Sequence, residues 1–376
     1  MFSAQLQVLN SLIKTKSYHI DLPLFRLHYR VTVCLLLAFS TIITARVLFG
    51  DTIDCKSRGA GRDDLFDNAC YAMGTYSRYR VLNGSRSQGL RLDRQGKYTY
   101  PGLLVGETDN VHIVWHTYYQ YIPIVLFVQA LMFYFPHYLW KLWENGTISS
   151  ICKQLHEHRF TPNEYLASNC ELICYLQHAF KLNKSLVYKY YFCHILLLLN
   201  LFIQVITLNS IFNHQFISYG YLYIRYLLFD SDTYGIRHIH QKSNDSHLPL
   251  NIKDMNDPMD FVFPKFTNCH LDLASQGGSR EDALSFYCVL PLNILHDKFF
   301  LLLWFWFVLL GVCTVAQIVY DVIFTTVPRF RRYTFVRKYG KAYCRCSLSE
   351  IFLLNLIGHN TDKLAFSALL SKLYVI

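Results

Sequence analysis

A chain of 376 residues with 52% hydrophobic, 16% aromatic and only 16% charged residues has too little charge to cover a water-facing surface of its size, since soluble domains carry about a quarter charged residues. The same figures exclude disorder, a collagen-like repeat and a small disulfide-stapled toxin. The net charge of +10 would suit nucleic acid only if it were clustered for that purpose, and its distribution shows another pattern.

Residues 1–30 form a tail of net charge +3. They show no secretory signal pattern, so insertion is expected to depend on the first apolar run. Phe2, Leu6, Leu9, Leu12 and Ile13 recur at helix-like spacing and predict a short amphipathic helix, lying on the membrane or folded into a pore mouth. Crossing bilayer hydrocarbon takes about 20 residues of helix. Four runs meet that length: 31–49, 118–140, 192–212 and 299–320. Arg46, inside the first, is expected to snorkel to the interface, with a place in a pore wall as the alternative. Pro123 and Pro136 fall in the second run, where neighbouring helices can satisfy the freed backbone groups. Gln120, Gln129, Asn200 and Gln204 are expected to hydrogen-bond between helices. The fold expected is an all-α membrane protein: four transmembrane helices joined by two long disulfide-linked loops, 50–117 and 213–298, and a middle loop, 141–191.

Charge orients the spans. The tails 1–30 and 321–376 and the loop 141–191 together carry +11, and the other two loops −2. Basic residues near spans are retained in the cytoplasm, so both termini and the middle loop are expected inside. The cluster from Arg329 to Arg345 follows the last span and suits anionic lipid headgroups, so no nucleic-acid partner is required.

That topology sorts the 12 cysteines. Cys55 and Cys70 fall in one outside loop and Cys269 and Cys288 in the other, where oxidation is possible. Four cysteines allow three connectivities. The expectation is a nested pairing between loops, Cys55–Cys288 and Cys70–Cys269, with pairing inside each loop as the alternative. Cys170, Cys174 and His178, and the pair Cys344 and Cys346, lack a complete zinc ligand set; the four cysteines are expected to be reduced thiols, with palmitoylation of the juxtamembrane pair as the alternative. No cofactor or metal is implied. Asn83 and Asn244 are glycosylation sequons on the outside loops, whereas Asn145 and Asn183 carry the same pattern on the cytoplasmic side. His238 and His240 read as surface residues; His156 and His158 would titrate near neutrality in solvent. Phosphate-binding loops, nucleophile elbows and metalloprotease helices are missing, as are acid–base pairs within the spans. No enzymatic chemistry is expected from these residues.

The stretch YYQYIPIVLFVQALMFYFPHYLWKLWENG (118–146) closely resembles the second-span signature of innexins, the invertebrate gap-junction proteins. The resemblance extends to FRLHYRVTVCLLLAFSTIITAR (25–46), GDTIDC (50–55), FVFPKFTNC (261–269), YCVLPLNILHDKFFLLLWFWFVLL (287–310) and FLLNLIGHN (352–360). Tyr121 stands where the family usually has Trp, and YAMGTYSRYR (71–80) replaces its usual pattern. The short last tail is similar to that of vinnexins, homologues carried by viruses of parasitoid wasps; an insect source and a viral one both stay open. The resemblance implies a large-pore channel of eight subunits per hemichannel, homomeric or mixed with other innexins. Hemichannels docked through the outside loops would join two cells at the plasma membrane. The N-terminal tail, with Phe2 and Leu6, would fold into the pore entrance, and Arg46 would lie near the wall. An undocked hemichannel and a non-conducting four-span adhesion protein are the competing readings.

Overall fold

The computed structural model describes residues 20–56, 64–82, 85–86, 91–92, 98–99, 103, 111–157, 167–229, 259–272, 283–339, 347–361, 366, 369–370 and 373. Among them, four helices are long and apolar enough to cross a membrane: α1 (Pro23–Phe49), α3 (Ile122–Glu144), α6 (Leu186–Ile211) and α9 (Pro291–Thr326). Two helices, α2 (Asp64–Met73) and α7 (Phe216–Phe229), lie in the sequence between the spans. So do α4 (Thr147–Glu157), α5 (Ala167–Leu182) and the single turn α8 (Met259–Val262). After the last span come α10 (Pro328–Tyr339) and α11 (Leu348–Asn360).

The helices outrun the apolar stretches. The first begins at Pro23, eight residues before the expected span, and the last continues to Thr326, six residues beyond it. Hydropathy marks only the part that suits hydrocarbon, whereas the helical backbone continues past it, through FRLHYR (25–30) at the start of α1. Helices α1, α9 and α10 start on Pro23, Pro291 and Pro328, where the missing N–H has no intrahelical partner to lose. Leu27–Thr32 within α1 is a π-helical stretch, the kind of local unwinding that often marks a functional segment.

The chain divides into two compact units. One takes residues 1–37, 128–203 and 308–376. Its packing gathers on Phe25, fully buried, which stacks on Tyr190 with ring centroids 5.5 Å apart and meets the rings of His137 and His194. The fully buried Trp140 donates its indole N–H to the Ile20 carbonyl at 3.0 Å. Two turns are specified locally. Asn145 and Gly146 both have positive φ (50° and 77°), a conformation open to Asn and Gly. There the buried Glu144 carboxylate accepts the backbone N–H groups of Gly146 and Ile148 and so covers the start of α4. Ser347 and Glu350 form a reciprocal capping box at α11.

The other unit takes residues 38–127 and 204–307 and holds what sequence periodicity left unassigned, a six-stranded antiparallel sheet. Strand β1 is Asp54–Lys56, β2 Thr75–Leu82 and β3 Ser85–Arg86; β6 is Val111–His116, β7 Phe266–Asp272 and β8 Ala283–Val289. The order is β1-β8-β7-β2-β3, with β6 also pairing β2, while β4 (Arg91–Leu92) and β5 (Tyr98–Thr99) form a separate ribbon. In β6 exposure alternates, Ile113 and Trp115 outward, Val114 and His116 buried, as the two-residue period of a strand requires. Beneath it, Tyr118, Phe212, Phe263 and Phe300 pack edge-to-face or stacked at 4.8–5.7 Å.

Candidate functional site

Four cysteines from two loops converge on the sheet unit. Strand register places Cys55 opposite Cys288 across β1 and β8, and the two are bonded. Cys70, in the last turn of α2, is bonded to Cys269 on β7. The structure thus has the nested connectivity, and each bridge ties the first loop to the second across 233 or 199 residues of chain. All four cysteines are buried. Supporting contacts hold α2 against β1. The Asp67 carboxylate accepts the Cys55 N–H at 2.7 Å, and Gln120 donates to the carbonyls of Tyr71 and Ala72 at the end of α2. Gly74 follows with φ +90°, and a Cβ there would sit 2.7 Å from Thr117. Glycine is required on both counts. His116 is buried with its Nε2 3.0 Å from Ser77 Oγ, and burial holds its imidazole down at about 3. It therefore stays neutral inside the sheet.

The remaining loop-unit contacts anchor the sheet to helices. Asn293 donates to the Pro264 carbonyl at 2.7 Å, Tyr219 donates to the Asp297 carbonyl at 3.0 Å, and Lys265 pairs with Asp260 at 2.9 Å. Trp304 donates to the Ile217 carbonyl and packs so tightly on Gly220 that a Cβ there would lie 2.2 Å from the indole. Arg46 is exposed in the last turn of α1, with its carbonyl accepting the Gly50 N–H. A cation at that helix end suits the helix dipole. Phe2, Leu6, Asn83 and Asn244 lie outside the described residues, as do His158, His238, His240, Cys344 and Cys346.

Within the helical unit the structure corrects one expectation, the lack of acid–base pairs inside the spans. His194 Nδ1 lies 2.5 Å from Asp321 Oδ2, both side chains buried; a second pair, His137 Nδ1 at 3.4 Å from Asp21 Oδ2, has its carboxylate just before the start of α1 and so is not within the spans. By hydropathy Asp321 falls with the last tail, since the apolar run stops at Tyr320, but the helix continues through it. Gln317 also donates to Asp321 at 2.9 Å, and His28 Nε2 meets Thr314 Oγ1 at 2.8 Å. Gln129 is buried with no hydrogen-bond partner among the described residues, so the expected bond between helices is not formed there. A cavity of about 180 Å³ next to Asp321 is walled by Tyr190, Tyr191, Tyr320, Phe352 and Lys338. Both Asp321 oxygens are already engaged. Among the thiols, Cys174 is exposed, whereas Cys152 is buried, which together with the neighbouring Glu144 pushes its thiol up to about 12. Cys152 is thereby kept unreactive at neutral pH.

Residues 21–375 match the family model named Innexin. Over 369 residues the chain is 31% identical to innexin shaking-B of Drosophila melanogaster, covering 95% of this chain and 90% of that protein. It is 30% identical to innexin inx2 of Schistocerca americana over 376 residues, 96% and 94% of the two. To innexin inx3 of Drosophila melanogaster it is 28% identical over 365 residues, 94% and 84%.

Proposed function

The chain belongs to the innexin family, and from that we infer a structural subunit of a gap-junction channel at the plasma membrane, passing ions and small metabolites between adjacent cells. The observation that carries this reading is the match over residues 21–375 in a chain with four membrane-length helices and two loops tied by two disulfides.

Four crossings leave both termini on one side. The excess of basic residues on the tails and the 141–191 loop supports the cytoplasm as that side. The sheet unit then faces outward, where its cysteines oxidise, and presents the docking surface to the opposing hemichannel. Eight copies, alone or mixed with other innexins, would surround the pore. Phe2 and Leu6 would line its entrance and Arg46 its wall, with Asn83 and Asn244 as the glycan sites. The exposed arginines of α10 (Arg329, Arg332 and Arg337) would lie on anionic lipid at the cytoplasmic face. A pore of this width selects by diameter and lining charge without stripping water from its permeants.

Paired cells that both express the protein at their surfaces should develop junctional conductance and pass dye. Absence of both, with surface expression verified, overturns the reading. Current across the unpaired membrane alone would favour an undocked hemichannel.

A further inference from the structure

The two disulfides are close neighbours. The Sγ atoms of Cys55, Cys70 and Cys288 all lie within 4.8 Å of one another, so the sulfur of one bridge faces both sulfurs of the other. A thiolate freed from the first bridge therefore has a second disulfide within a side-chain rotation of it. Burial of Cys55, Cys70 and Cys288 limits attack by dissolved thiols to local openings of the sheet. A partner held in place acts at an effective concentration far above that of any soluble competitor. The Cys55–Cys288 bridge is the more exposed to opening. It sits on β1, a strand of three residues at the sheet edge with β8 as its only strand neighbour among the described residues, and short edge elements open first in local fluctuations.

We propose that the sheet unit contains a disulfide relay: reduction of Cys55–Cys288 by a small thiol is passed internally to Cys70, expelling Cys269. The balance is closed. Two small-thiol molecules reduce the Cys55–Cys288 bond, giving one small disulfide and two cysteine thiols. One of these, Cys55 or Cys288, loses its proton to solvent, and its thiolate attacks the Cys70 sulfur. The new S–S bond forms as the Cys70–Cys269 bond breaks, and the departing Cys269 thiolate takes up a proton. This second step consumes no reductant. If Cys55 is the attacker, the product bridge closes the first loop on itself and the two loops are untied. If Cys288 is the attacker, they stay tied through a different pair. Either product converts a mild redox change into a rewired loop unit, without passing through the fully reduced state.

The test is limited reduction of the purified full-length protein with glutathione, acid quench at successive times, alkylation and peptide mapping. The relay predicts that the first non-native bridge contains Cys70, joined to Cys55 or Cys288, and that Cys269 is alkylated in the same molecules. A Cys70→Ser, Cys269→Ser double variant, checked for assembly, should show only Cys55 and Cys288 alkylated at every time. Native pairs alone throughout the wild-type series, simultaneous loss of both bridges, or a first non-native bridge lacking Cys70 would each overturn the proposal.

Discussion

The loop unit and the helical unit hold themselves together by different means. In the first, short strands drawn from distant parts of the chain are joined by a hydrogen-bonded ladder and two covalent bridges. In the second, helices pack aromatic rings around buried histidines, with Phe25, Tyr190 and His194 at the centre. The difference follows from sequence separation. Closing a long loop carries an entropic cost that local helix formation avoids, and a cross-link removes much of that cost from the unfolded state. Damage to the loop unit should accordingly spread through the sheet, whereas damage to a helix end should stay local.

The largest expected effect comes from cutting a bridge. Cys70→Ser leaves Cys269 without its partner and should cost about 2–5 kcal/mol. Conductance between paired cells should be lost while the spans still insert. Undiminished coupling in single Ser variants at Cys55, Cys70, Cys269 and Cys288 would show that the bridges do not hold the docking unit. Next is Gly220→Ala, which drives a methyl group into the Trp304 ring. Overpacking of this kind costs about 1–3 kcal/mol. Trp304 fluorescence should shift as α7 leaves α9, and an unshifted spectrum with wild-type thermal stability would contradict the contact.

Acid gives a finer separation of the units. His116 is neutral in the sheet, its pKa held near 3 by burial, whereas an unfolded histidine titrates at about 6.5. Below that value the unfolded chain binds the extra proton. Stability is therefore complete above pH 6.5 and declines as pH falls towards 3. At pH 5 the loss from this group is about 2 kcal/mol. Denaturant midpoints of the sheet unit at pH 7.5 and pH 5 should differ by less in His116→Gln than in the wild type. Equal shifts in both proteins would assign the acid sensitivity elsewhere.

The same contrast explains what the sequence could disclose. Each span was legible because some twenty consecutive apolar residues admit one reading in a bilayer, and the family motifs lie in or beside those runs. The edges of the sheet were not, because β1 has three residues and β3 two, too few for alternation to register, and pairing joins positions up to 235 residues apart, as for Asp54 and Val289. Cysteine count and compartment limited the bridges to three possibilities, and strand register chooses between them only in the folded chain. Asp321 is hidden in the sequence for the opposite reason. It follows directly on an apolar run, and nothing in its neighbours shows that the helix continues to bring it against His194, 127 residues earlier.

The smallest effect should arise at the start of α11, in the helical unit. Ser347 Oγ accepts the Glu350 N–H at 3.3 Å, and the Glu350 carboxylate accepts the Ser347 N–H at 3.0 Å. Two backbone donors that the helix cannot satisfy itself are covered by these bonds. Ser347→Ala removes one of them at a cost of about 1 kcal/mol. Since Ile351, Leu353, Leu354 and Ile357 remain buried, the body of α11 should stay docked and only its first turn should fray. Hydrogen exchange should quicken at the amides of residues 348–351 and remain unchanged in β2 and β8. Faster exchange in the sheet would mean that a helix end in one unit governs the other, contrary to the local character expected of helical packing.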